Sequence, residues 1–196
     1  MVEAAVVDPI VLTHIRTVVS IIVGLAIGRL LTGLARFVQH PRRQKIFPAH
    51  LVWVFFMLIY VILFWWWEFY LNQVHWSFQL YVFVTLYAGV IFFLCTLLFP
   101  DKLHEYKEYS DYFMSRRTWF FGLLIGTFVL DIVDTLIKGS AYVHSLNGMY
   151  WVRFVFYVLI CLVGMFDRRP RVQLSCAVLA LAFQIVWALS FYDTLA

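Results

Sequence analysis

Residues 122–139 read GLLIGTFVLDIVDTLIKG, a run apolar enough to lie in a lipid bilayer, yet it carries Asp131, Asp134 and Lys138. The rest of the chain says which solvent surrounds it. Of its 196 residues, 64% are hydrophobic and only 13% charged, with a mean hydropathy of +0.86, far from globular composition. Crossing a hydrocarbon core takes about 20 mostly apolar residues. The sequence offers six such runs, near 17–38, 50–70, 76–99, 118–138, 149–166 and 172–192. Little chain is left between them for a soluble domain. The expected fold is therefore an all-α integral membrane protein of six transmembrane helices, a single domain over 1–196.

Basic residues set the expected orientation. Arg42, Arg43 and Lys45 follow the first span; Lys102, Lys107, Arg116 and Arg117 separate the third and fourth; Arg168, Arg169 and Arg171 separate the fifth and sixth. The connections 71–75 and 139–148 and the C-terminal tail carry none, and the N-terminal tail only Arg16 at the edge of the first span. The positive-inside rule puts the three basic loops in the cytoplasm and both termini outside. We expect a bacterial inner (plasma) membrane location, with no cleaved signal peptide, because the residues before Pro9 lack a basic region and include Glu3 and Asp8. The net charge of +4 is accounted for by the loops, which excludes a nucleic-acid reading and leaves membrane lipid as their partner.

The first span holds GLAIG at 24–28 and the fourth holds GLLIG at 122–126, an offset of 98, half the chain. At the same offset WVFF from Trp53 meets WVRF from Trp151, and Ile62 meets Ile160. These eight identities over roughly 45 positions suggest repeat halves 1–98 and 99–196. Three spans per half would make the halves an inverted-topology pair, the arrangement of many transporters. Gly24 with Gly28, and Gly122 with Gly126, have the G-x-x-x-G spacing that lets helices approach closely in lipid. It implies either a crossing of spans one and four or a contact between copies in a homo-oligomer.

At 3.6 residues per turn, Thr127, Asp131, Asp134, Thr135 and Lys138 share one helix face; the equivalent face of the first span holds Arg29, Gly33, Arg36 and His40. Asp131 lies seven residues before Lys138, about 10 Å along a helix, too deep to be interfacial. A charge at the bilayer centre costs at least about 2.5–3.5 kcal/mol, so such groups face protein or water and mark a pathway or a pair. Two readings follow. In one, Asp131 and Asp134, joined by Glu68, form a cation or proton site in an outer vestibule, with Thr127, Lys138, Arg153 and Arg29 along the pathway. In the other, Arg153 neutralises an aspartate while Lys138 bonds Asp134 at i, i+4, and the charges are structural.

Other features carry less. Cys95, Cys161 and Cys176 fall inside spans without a C-x-x-C and read as packing residues, and Gln184 reads as interhelical glue. Trp65, Trp66, Trp67 and Trp76 mark an interfacial aromatic belt. Segment 101–117 reads as a helix lying along the membrane surface or as a solvated loop. The D-x-x-D at Asp131 and Asp134 resembles the start of the CDP-alcohol phosphotransferase motif, but Thr135 stands in place of glycine and the later part is absent. No H-E-x-x-H or G-x-S-x-G occurs, no lysine sits mid-span for retinal, and the histidines lie at the membrane edges, so no enzyme activity or metal site is expected, and the sequence leaves any cofactor unknown. The leading expectation is a small channel or carrier for an ion or small polar solute. The alternative is a non-transporting partner or sensor subunit of a membrane complex.

Overall fold

The computed structural model describes residues 9–40, 45–68, 76–101, 106–139 and 148–191. They form six helices: α1 Pro9–Gln39, α2 Pro48–Trp67, α3 Phe78–Leu97, α4 Tyr109–Ile137, α5 Met149–Phe166 and α6 Pro170–Phe191. All six are long and apolar enough to cross a bilayer. Their starts follow local chemistry. Pro48 and Pro170 open α2 and α6, where a missing N–H costs nothing, and Ser77 Oγ caps α3 by accepting from Leu80 N at 3.2 Å. Gly139 follows α4 at φ 101, the left-handed conformation that stops a helix.

From Tyr109 onward, segment 101–117 is neither a separate surface helix nor a solvated loop; 106–108 are bends. Tyr109 begins α4, which runs unbroken for 29 residues, about 43 Å, longer than the hydrocarbon core. The physical reason is burial: Tyr109, Tyr112 and Phe113 are all buried, and Tyr109 and Phe113 pack on Phe37, Phe47 and His50. Leu103, on the expected surface stripe, lies outside the described residues.

α2 sits at the centre. It packs along α6 and also touches α1, α3 and α4, while α1 lies along α3 and α4 along α5. Lipid tails are as apolar as leucine, so close packing has to hold the helices together, and aromatic rings provide much of it here. Trp53 meets Phe56, Phe120 and Phe121 edge-on, and Phe128 stacks on Tyr157 at 4.6 Å and 6°. The outward surfaces of all six helices are lined by exposed residues such as Leu25, Phe93, Trp119, Leu159 and Leu189.

The glycine spacing does not make the crossing of spans one and four. A Cβ at Gly24, Gly28 or Gly126 would meet nothing within 4 Å, and one at Gly122 would only touch Met165. α3 packs against both α1 and α4, which meet through Phe37 and Tyr109, away from these glycines. The close approaches fall at Gly33, where a Cβ would overlap the Phe99 ring, and at Gly164, where it would overlap Phe121. We therefore expect Gly33→Val and Gly164→Val each to destabilise the detergent-solubilised protein by about 1–3 kcal/mol. Gly24→Ala and Gly126→Ala should leave the thermal midpoint of the monomer unchanged. Equal effects at all four positions would contradict this packing.

Candidate functional site

The inward face of α4 is the one the helical spacing picks out. Thr127, Asp131, Asp134 and Thr135 are all buried, and the Lys138 side chain is 3% exposed. Two other helix ends meet this face: Glu68 at the end of α2, and the first turn of α5, which contributes Tyr150 and Arg153. All of this lies at the end of the bundle opposite the basic loops.

Two linked groups result. In the first, Arg153 Nη2 lies 2.5 Å from Asp131 Oδ2, and Tyr150 donates to the same oxygen at 3.0 Å while sharing a 3.1 Å hydrogen bond with Thr135. The Arg153 guanidinium lies over Trp67, Trp187 and Tyr150, with 4.6, 5.1 and 5.5 Å to the ring centroids. Aromatic faces stabilise a desolvated cation, which lets an arginine 1% exposed remain charged here. In the second group, Lys138 Nζ lies 2.5 Å from Asp134 Oδ2 and 3.8 Å from Glu68 Oε1.

The ion pairs of the structural reading are thus formed, but they do not close the account. Glu68 and Asp134 share Lys138, Asp131 holds Arg153, and Arg16 borders the cavity beside Glu68. Glu68 Oε2, Asp134 Oδ1 and Arg153 Nη1 are buried without a hydrogen-bond partner among the described residues. Such atoms normally find one. Glu68 also borders a cavity of about 20 Å³ between the outward ends of α1, α2 and α3, shared with Arg16, Trp65 and Trp76. That is room for a water molecule beside the carboxylate.

The remaining predicted residues fall elsewhere. Thr127 donates back to Leu124 O at 2.7 Å on its own helix. Arg29 is not part of the acidic cluster: it pairs with Asp101 and donates to Phe99 O at 2.9 Å at the basic end. There Arg36 donates to Pro100 O, His50 Nε2 meets Leu98 O at 2.6 Å and Tyr112 donates to Leu97 O, so the last carbonyls of α3 and its turn are satisfied inside protein. Lys45 lies 2.6 Å from Glu108, whose hydrogen bond and charge raise the lysine pKa. Gln184 accepts from Tyr157 at 2.6 Å, tying α5 to α6. The three cysteines are free and buried.

Sequence reasoning missed Tyr150, Trp187 and the deep position of His50. Tyr150 sits three residues before Arg153, on the same face of α5, a spacing that could have flagged it. Trp187 comes from a distant helix and left no local signal. No protein-family model, curated protein or solved structure matches the chain.

Removing one partner of a buried ion pair strands the other. Asp131→Asn and Arg153→Gln should each destabilise the protein by about 3–5 kcal/mol. The double variant should recover about 1 kcal/mol or more as coupling energy in detergent unfolding. Strictly additive effects would show that the pair does not stabilise the bundle.

Proposed function

We propose that the protein is a small membrane carrier or channel that moves a cation, foremost the proton, through an exchangeable site formed by Glu68 and Asp134. The observation that carries this reading is the sharing of one lysine by two buried carboxyl groups. Glu68 and Asp134 both face Lys138, and a bound proton or cation would offset their mutual repulsion when it replaces the lysine charge on either one. The cavity beside Glu68 supplies water access from the end away from the basic loops, which the positive-inside rule places outside the cell. In this account Asp131 is held by Arg153 as a structural pair, and the functional role passes to Glu68 and Asp134, with Lys138 as the charge that moves between them.

The inverted repeat, supported by the identities at offset 98, belongs to this reading as the origin of two opposed halves. Gly24 and Gly28 face out of the bundle, which supports a contact between copies in a homo-oligomer of the inner membrane. A second reading, a non-transporting subunit of a membrane complex, draws support from the fact that both aspartates already hold a cation.

Flux through reconstituted proteoliposomes separates the two. With H⁺, Na⁺, K⁺ and Cl⁻ gradients imposed in turn, the wild type should carry protons above the level of empty liposomes. Glu68→Gln, which leaves the Lys138–Asp134 and Arg153–Asp131 pairs in place, should reduce that flux at least about ten-fold while keeping the wild-type melting profile. Absence of flux for every ion in well-folded protein would favour the subunit reading.

A further inference from the structure

A groove of about 480 Å³ runs between α5 and α6 in the half of the bundle nearest the basic loops. Its walls are apolar, with Phe156, Ile160, Val163 and Leu179 among them; Ser175 lies along it and Arg171 at its mouth. Two fixed struts bound it. At the turn, Gln173 Nε2 donates to Gly164 O at 2.7 Å and to Asp167 O at 2.6 Å. Deeper in, Phe156 stacks on Phe183 at 4.6 Å and Tyr157 bonds Gln184. Between the struts the helices separate, because α5 packs mainly on α4 and α6 on α2. The groove is therefore built into the fold.

Its mouth is strongly basic. Arg168, Arg169 and Arg171 are exposed, and none of them forms an ion pair among the described residues. Arg117 of α4 reaches the same corner, donating to Met165 O at 3.2 Å. An apolar slot running about 12 Å along α6 from Arg171 to Leu179, with guanidinium groups at its mouth, matches one occupant: an acyl chain topped by a phosphate. A second copy of the chain fits poorly, since it would set one arginine cluster against another. The positive-inside rule places this end in the cytoplasmic leaflet, where anionic lipids collect.

We propose that the α5–α6 groove is a binding site for an anionic glycerophospholipid, with an acyl chain between Phe156 and Leu179 and the headgroup phosphate on Arg171 and Arg168. Ser175, one turn into the slot from Arg171, is placed to donate to the glycerol ester. This site is independent of the acidic cluster and stands or falls separately from the transport reading.

The test is native mass spectrometry of the full-length protein in a neutral detergent, titrated with phosphatidylglycerol or phosphatidylcholine of identical acyl chains. Phosphatidylglycerol should be retained at least about five-fold more tightly, and Arg171→Gln should weaken it about five-fold, the worth of one basic residue at a membrane surface. Leu179→Trp, which fills the slot and leaves the arginines in place, should also weaken it several-fold. Both positions are exposed, and each variant's melting profile confirms its fold. Equal retention of the two lipids would overturn the proposal, as would an unchanged Arg171→Gln. Loss in Arg171→Gln and Arg168→Gln with no effect of Leu179→Trp would show headgroup attraction to the loop alone and overturn the groove.

Discussion

The structure depends on how charge is held out of lipid. Carboxylates and cations this deep in apolar helices are tolerated only when protein surrounds them, and here α2, α4, α5 and α6 all send residues to one place to do so. That requirement fixes rotations as well as positions. α4 has to turn Asp131 and Asp134 inward, α5 has to present Tyr150 and Arg153 from its first turn, and α2 has to end where Glu68 reaches Lys138. Once those rotations are set, the opposite faces of the same helices are the exposed apolar ones.

The basic end solves a different problem with different chemistry. The turn after α3 would leave backbone carbonyls unsatisfied near the membrane, and Arg29, Arg36, His50 and Tyr112 supply donors to four consecutive residues, Leu97 through Pro100. The arginines that looked like the mirror image of the acidic stripe are thus spent on the backbone. One end of the bundle balances its charges against peptide groups, Asp101 and Glu108; the other sets side-chain charges against each other, with Lys138 shared between two carboxyl groups.

Much of this was legible in the sequence, and the limits have physical causes. Span number follows from apolar length alone, which is why each of the six helices overlaps its apolar run, although α1 and α4 begin at Pro9 and Tyr109, well before theirs. The inward face of α4 was legible because helical periodicity gathers Thr127, Asp131, Asp134 and Lys138, and the pairing of Lys138 with Asp134 is a local i, i+4 contact. That Arg153 pairs with one of the two aspartates could be named because few cations lie at that depth, but not which one. What could not be read was tertiary: the Trp67 and Trp187 faces around Arg153, the union of 109–117 with α4, and the diversion of Arg29 to a backbone carbonyl. The glycine motif left its two readings open for the same reason. Spacing shows that two helices could approach, while the actual close contacts at Gly33 and Gly164 depend on where Phe99 and Phe121 happen to lie.

If Glu68 and Asp134 share Lys138 as proposed, one of the two carboxyl groups holds an exchangeable proton. Infrared spectroscopy of the purified protein at neutral pH reads this directly, through the C=O stretch of a protonated carboxyl group and its shift in D₂O. A deuterium-sensitive band is expected in the wild type, lost or displaced in Glu68→Gln and retained in carboxylate-to-amide changes outside the cluster. A spectrum in which every carboxyl group is ionised at neutral pH would rule the shared proton out.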